Sequence, residues 1–200
     1  MNPADPRHYK KTMKTRYFLA LLGSLFPLLG TTSCVAPTKL KVAAYSPDQI
    51  LASCVFDQVN GYRKNKGSGP LKGHPGLNNL AVRHSEYMRR NRGKFDLYGK
   101  NVSHMGSEGR SLAAMRIYHF TSISENVAAA RKAGSDSASA ANLVVLWKNS
   151  PNHEAAMADP EYTHTGVGIV TDSDGTIFAT QLFGTMTTSQ LSTRERFNAF

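Results

Sequence analysis

Apolar positions recur at helical spacing through most of this chain, and the period changes only near the end. Leu51, Val55, Val59 and Tyr62 repeat every three or four residues, with Ile50 and Cys54 beside them. Ser46-Pro47-Asp48 supplies a capping hydroxyl, a first-turn proline and an early acid, so a helix starts there; Gly67 and Gly69 end it. After a loop over residues 70–76, Leu77, Leu80, Ala81, His84 and Met88 mark a second helix that runs out near Gly93. Residues 99–109 read as a glycine-punctuated loop. A third helix is predicted over 110–120, with Leu112, Met115 and Ile117 or Tyr118 inward. A fourth covers 135–148, with Ala138, Ala141, Val145 and Leu146 toward the core; Ser150-Pro151 stops it, and residues 152–158 form one more short turn. Residues 165–172 and 176–184 are β-rich runs joined by Ser-Asp-Gly, a hairpin signature. Helices first and a hairpin last predict an α+β domain with helices packed on a small antiparallel sheet.

The head of the chain has a different pattern. Lys10, Lys11, Lys14 and Arg16 precede a nearly unbroken apolar run over residues 17–30, and the small residues Gly30, Thr31, Thr32 and Ser33 follow. Positive, apolar, small is the order of a secretory signal peptide, and the run falls short of the roughly 20 residues a membrane span needs. Thr-Thr-Ser-Cys at residues 31–34 resembles a bacterial lipobox, which would make Cys34 a lipidated N-terminus; ordinary signal cleavage nearby is the alternative. The expected organisation is a signal peptide over 1–33, a lipidated tether over 34–46, one domain over 47–185 and a polar tail over 186–200. With Cys34 acylated, Cys54 has no partner and reads as a buried, inert thiol; a Cys34–Cys54 disulfide is the minor reading.

The formal charge of +10 changes little. Five basic residues against Asp5 sit before Cys34, and the basic residues of the body are scattered apart from Arg89, Arg90, Arg92 and Lys94. That cluster lacks aromatic interleaving and reads as a solvated helix end, so nucleic acid is not expected as a partner. Attraction to anionic lipid or an acidic envelope polymer fits better.

Candidate chemistry sits in three separated segments, which carry His104, Glu125 and His153 next to turn-forming residues. Imidazole and carboxylate are ordinary metal ligands and ordinary proton-transfer groups. Only a fold that gathers these segments makes a site of them. His84 lies on an apolar helical stripe and reads as a hydrogen-bonded core histidine; His74 and His119 read as surface residues. Trp147 is expected in the core, and Asp172 and Asp174 in the hairpin turn. No Gly-x-Ser-x-Gly elbow marks a serine nucleophile.

Seven motifs in order carry a family resemblance: V-N-G-Y-R (59–63), L-A-V-R-H-S-E-Y-M (80–88), S-H-M-G (103–106), E-N-V-A (125–128), W-K-N-S-P-N-H (147–153), Y-T-H-T-G-V-G (162–168) and A-T-Q-L-F-G (179–184). In these the chain resembles the bacterial branch of the CAP superfamily, the cysteine-rich secretory, antigen and pathogenesis-related group also called SCP-like. The resemblance implies a three-layer α-β-α sandwich with a cleft lined by two histidines and two acids, which sometimes hold a divalent metal. By motif match His104 and His153 are the histidines and Glu125 is one acid. The second acid is missing, since Lys148-Asn149-Ser150 stand where it would follow the tryptophan. Glu154, beside His153, and His164, ahead of the first β run, are expected at the cleft rim. One zinc-like ion on His104, Glu125 and His153 would keep an open position, as catalytic zinc sites do.

Two functions follow from this resemblance. The first is a non-catalytic envelope module, held to the membrane through its N-terminal lipid and binding a lipid, polymer or protein at the cleft. In a Gram-negative cell that membrane would be the outer one, and a freely secreted form is the alternative. The second is a metal-dependent, peptidase-like hydrolase in the same cleft, with Glu154 as base to a bound water. A purely structural envelope component is a third. The absent acid and the absence of a nucleophile motif favour the first.

Overall fold

The structure, a computed structural model, describes residues 45–93, 103–187 and 189. The signal peptide, Cys34, most of the tether, Lys94, part of the loop over 99–109 and most of the polar tail lie outside these residues.

Helix α1 (Pro47–Asn65) starts on a complete capping box: the Ser46 hydroxyl accepts from Gln49 N–H while the Gln49 side chain accepts from Ser46 N–H. Strand β1 (Lys72–Gly73) follows, then α2 (Pro75–Arg90), α3 (Ser107–Tyr118), β2 (Ser122–Arg131), α4 (Asp136–Lys148), α5 (Pro151–Ala158), β3 (His164–Thr171) and β4 (Thr176–Thr185). The sheet order is β1-β3-β4-β2. The expected antiparallel hairpin is β3–β4, but the sheet is mixed, because β1 pairs with β3 in parallel. Strand β2, ten residues long and antiparallel to β4, has no counterpart in the hydrophobic pattern.

Alternation along the strands divides the core between the two faces of the sheet. Ala128, Val167, Ile169, Ile177, Ala179 and Phe183 face α1, α4 and α5, where they meet Leu51, Val55, Val59, Leu143, Trp147 and Met157. Leu182 and Phe178 point the other way, toward Leu77, Ala81 and Met88 of α2 and Ala114 of α3. The result is the α-β-α sandwich. Helix α2 lies directly on β3: a Cβ on Gly168 would come within 2.1 Å of Val82 N, and one on Gly166 within 2.2 Å of the Leu77 carbonyl carbon. The Gly-Val-Gly spacing therefore permits contact between backbones.

Two helix faces differ from expectation. On α4 the buried set is Ser139, Ala140, Leu143, Val144 and Trp147, while Val145 and Leu146 are 48% and 45% exposed. Ser139 tolerates burial because its hydroxyl donates to Ser135 O and accepts from Ala133 N–H. On α3 only Ala114 is buried; Leu112, Met115 and Ile117 face outward. His74, expected on the surface, is buried as the N-cap of α2, its Nδ1 accepting from Leu77 N–H. His119 is exposed and Trp147 buried, as expected. Cys54 is half-buried against the core and is a free thiol.

Arg63 is fully buried, and among the described residues no carboxylate forms an ion pair with it. Its guanidinium donates to the carbonyls of Gly69, Met157, Asp159 and Tyr162, tying the end of α1 to the end of α5 and the approach to β3. At the opposite end of the sheet, Arg92 bonds Asp172 and Asp174 in the β3–β4 turn, while Arg89 and Arg90 bond Glu86. Because β1 is so short, side chains cap the outer edge of β3: Asn78 accepts from Val167 N–H at 2.9 Å and Asp48 from Thr171 N–H at 3.2 Å. Among the described residues, no helix is long and apolar enough to cross a membrane.

Candidate functional site

Glu125 and Asn126 are neighbours on the edge strand β2, and alternation sends their side chains to opposite faces of the sheet. Glu125 faces α2 and α3. Its carboxylate accepts three hydrogen bonds: from Arg110 Nε at 2.6 Å, from Arg110 Nη2 at 2.8 Å and from His104 Nδ1 at 2.9 Å. Asn126 faces the other way, and its Nδ2 donates to the His153 carbonyl at 2.9 Å, fixing the first turn of α5. One dipeptide thus anchors one histidine segment from each side of the sheet. Across the strand edge the His104 and His153 rings lie 5.8 Å apart, centroid to centroid.

The loop carrying His104 is held from three directions. Arg110 Nη1 donates to Met105 O, Ser103 Oγ accepts from Met105 N–H, and His84 Nε2 lies 2.7 Å from Ser103 O. A carbonyl only accepts, so His84 Nε2 carries the proton in that bond. His84 is therefore the hydrogen-bonded buried histidine expected, although its Nδ1 has no partner among the described residues. The same reasoning assigns His104: a carboxylate accepts, so Nδ1–H donates to Glu125, and in the neutral imidazole Nε2 then holds the lone pair. The His104 side chain is 49% exposed and that of Glu125 is 6% exposed. The imidazole thus opens outward from a buried acid. Beside it, a hollow of about 440 Å3 runs between α2 and α3, lined by His84, Tyr87, Met105 and Arg110 among others.

Burial pushes the Glu125 carboxyl upward, but the hydrogen bonds from His104 and Arg110 and the Arg110 charge outweigh it and hold the group below its ordinary value. Burial lowers His84, and the Arg110 charge lowers it further. Burial, then His104, does the same for His153.

The structure thus brings His104, Glu125 and His153 to one edge of the sheet. It does not bring the two rim residues there. Glu154 turns to α1, where it accepts from the Tyr62 hydroxyl and pairs with Lys66 Nζ at 2.9 Å. Lys66 and Lys148 each sit 5.4 Å from the centre of that tyrosine ring. The i to i+1 step from His153 to Glu154 rotates the side chain about 100° around the helix, far enough to face a different neighbour. His164 begins β3 and is buried with His74 and Phe120, at ring separations of 6.1 and 5.8 Å.

Sequence reasoning missed Arg110 altogether. It lies fifteen residues before Glu125 with no spacing signal, and only the packing of α3 on β2 joins them. This guanidinium also bears on a metal. Among the described residues no three His, Cys, Asp or Glu side chains are grouped to hold one ion. Both Glu125 oxygens already accept from a permanent cation, so the donor set as built does not fit a divalent metal. A larger cleft of about 1000 Å3 lies between α1 and α2 along β3, lined by Phe56, Val82, Val167 and Ile169 among others. Neither hollow is lined by His104, Glu125 or His153, but the smaller one takes in Arg110, which bonds Glu125, and Met105, next to His104.

A family model described as CAP, the cysteine-rich secretory protein family, matches residues 56–183. Among solved structures, an outer surface protein from Borrelia burgdorferi aligns at 18% identity and a TM-score of 0.52, over 71% of this chain and 97% of that one. A cysteine-rich secretory protein from Staphylococcus aureus aligns at 18% identity and 0.51, over 72% of this chain and 41% of that one. An extracellular protein containing a SCP domain from Bacillus anthracis aligns at 22% and 0.50, over 72% and 45%. The chain therefore spans less than half the length of the last two. No curated protein matches it. At these identities the structural likeness concerns the fold alone.

Proposed function

This chain belongs to the CAP family of cysteine-rich secretory proteins, and on that premise we propose that it is an exported envelope protein whose domain is a non-catalytic binding module. The ligand, a lipid, polymer or protein of the envelope, is taken at the outward edge of the cluster, on the imidazoles of His104 and His153. Export is supported by the positive, apolar, small order of residues 10–33, and by the likeness to the outer surface protein of Borrelia and the extracellular protein of Bacillus. Lipidation at Cys34 gives the anchor, since several acyl chains hold a protein at a membrane where a single one is marginal.

One observation carries the binding reading: both oxygens of the buried acid of the cluster are engaged, while the His104 imidazole beside it faces outward and His153 is half-buried. Glu125 has Arg110 and His104 on its oxygens, so it is committed to positioning and is not available as a base. Among the described residues no serine, threonine or cysteine side chain bonds His104 or His153, so none of them is an activated nucleophile there.

Co-sedimentation of the purified chain tests this, with phosphatidylglycerol–phosphatidylethanolamine vesicles as one probe and isolated peptidoglycan as the other. Binding to either should survive a chelator and fall when His104→Ala and His153→Ala are combined. Equal retention by the double variant on both probes, or chelator-sensitive cleavage of peptidoglycan stem peptides by the unmodified chain, would overturn the reading.

A further inference from the structure

The position of Arg110 answers a question the family resemblance raises. A site of two histidines and one acid is one carboxylate short of the family set, and the uncompensated Glu125 would be a buried charge. Burying an ionised carboxylate without a partner is unfavourable enough that such groups pair, bind metal or neutralise. Here Glu125 is paired in the most demanding geometry available, a two-pronged guanidinium fork with Nε on one oxygen and Nη2 on the other. The remaining nitrogen, Nη1, reaches Met105 O at 2.8 Å, next to His104. The cation therefore touches both the acid and the histidine loop, as an ion shared by the two would.

We propose that Arg110 is a built-in counter-cation that takes the place of a divalent metal in this cluster. It supplies the positive charge that holds Glu125 ionised, and its fork places that charge on both oxygens, where a second cation would meet its repulsion. A guanidinium does not lose its proton in a protein, so this cation is present at every working pH. The consequence falls on His104. With Glu125 fixed by Arg110, its third hydrogen bond goes to His104 Nδ1–H, which selects the tautomer whose Nε2 lone pair faces outward. In a metal site the same imidazole would spend a lone pair on the ion. Arg110 is thus a positioning residue, acting on the ligand-facing nitrogen through Glu125, and the cluster works without metal. This inference does not depend on the ligand proposed above, because it concerns the cluster's resident cation.

The decisive test is a gain of function. The full chain is titrated with zinc alone, by calorimetry and by metal analysis after gel filtration. The unmodified protein should retain no zinc that depends on His104 or His153. Arg110→Met frees both Glu125 oxygens and removes the charge, and it should bind one zinc per chain. The affinity gain should be about tenfold to a hundredfold, the scale on which groups next to a metal change its binding. Adding His153→Ala to that variant should abolish the gain. Nitrogen-15 chemical shifts give an independent reading: His104 should show a protonated Nδ1 and a bare Nε2 in the unmodified chain, and should lose that preference in Arg110→Met. Stoichiometric zinc on the unmodified chain that His104→Ala removes would overturn the proposal. So would an Arg110→Met protein that folds and binds no zinc. If that variant does not fold, the titration and the tautomer of the unmodified chain still decide the matter.

Discussion

The two faces of the sheet are built to different ends. The face toward α1, α4 and α5 is a broad apolar layer around Trp147, and the buried charge on it, Arg63, bonds carbonyls among the described residues. The face toward α2 and α3 has a smaller apolar core around Leu77, Ala81, Phe120 and Leu182, and its half near the β2 edge is given to Glu125, Arg110 and His84. Each face has an arginine drawn inward, Arg63 fully buried and Arg110 partly so, but the partners differ. Carbonyls fix chain direction, whereas a carboxylate leaves a titratable group in place. The first face holds the fold together; the second holds a side chain ready.

Substitutions on the two faces should therefore differ in size and in kind. Trp147→Ala should be the most damaging, with a loss of about 3–5 kcal/mol in denaturant unfolding, from lost burial and the cavity left behind. Arg63→Met should come close, also about 3–5 kcal/mol, because it strips several buried carbonyls of a charged donor. Neither change should alter the zinc response of the cluster. Gly168→Ala forces a methyl into the α2 backbone and should cost about 3 kcal/mol, comparable to the severe end of overpacking. A milder loss would mean that α2 rides more loosely on β3 than these contacts allow.

Glu125→Gln should cost about 1–3 kcal/mol, since it leaves the Arg110 charge short of its partner. Its informative effect is on pH. His84 and His153 both titrate below the ordinary histidine value, so their stabilisation is complete above about pH 6.5 and is lost as pH falls through the folded values. Glu125, also held low, contributes above the ordinary carboxylate value, and its share is lost as pH falls through its folded value. Thermal midpoints should therefore decline in acid in two stages, and Glu125→Gln should diminish the more acidic one, to which Glu86, Glu154 and Asp174, also held low by their partners, contribute as well. A midpoint flat from pH 7 to pH 3 would contradict the electrostatics of this face. The smallest expected effect is Leu146→Lys on the outward side of α4, within about 0.5 kcal/mol, against about 2–5 for Leu143→Ala on its inward side.

That last pair also shows what could be read without coordinates. The capped start of α1, the course of α2 and the β3–β4 hairpin were legible because strong local signals agree there: a capping box, a regular apolar stripe and an Asp-Gly turn. On α4 the largest aliphatics misled, since Val145 and Leu146 are exposed while the small Ser139 and Ala140 lie inside. Burial was decided by which face meets the sheet. Strand β2 escaped notice because Ala128, Ala129 and Ala130 have little intrinsic strand preference, and pairing with β4 imposes the conformation. The two histidines and the acid were legible from their motifs. Arg110 was not, because its partner is chosen by packing between elements.

The brevity of β1 has an outcome of its own. A sheet left open along one side invites another chain to add to it, and fibrils grow by that route. Here an incoming strand would find Val167 and Thr171 already satisfied by Asn78 and Asp48, with Ile169 alone between them. A single residue cannot seed a ladder, so two modest polar side chains guard this edge of the sheet against self-adhesion.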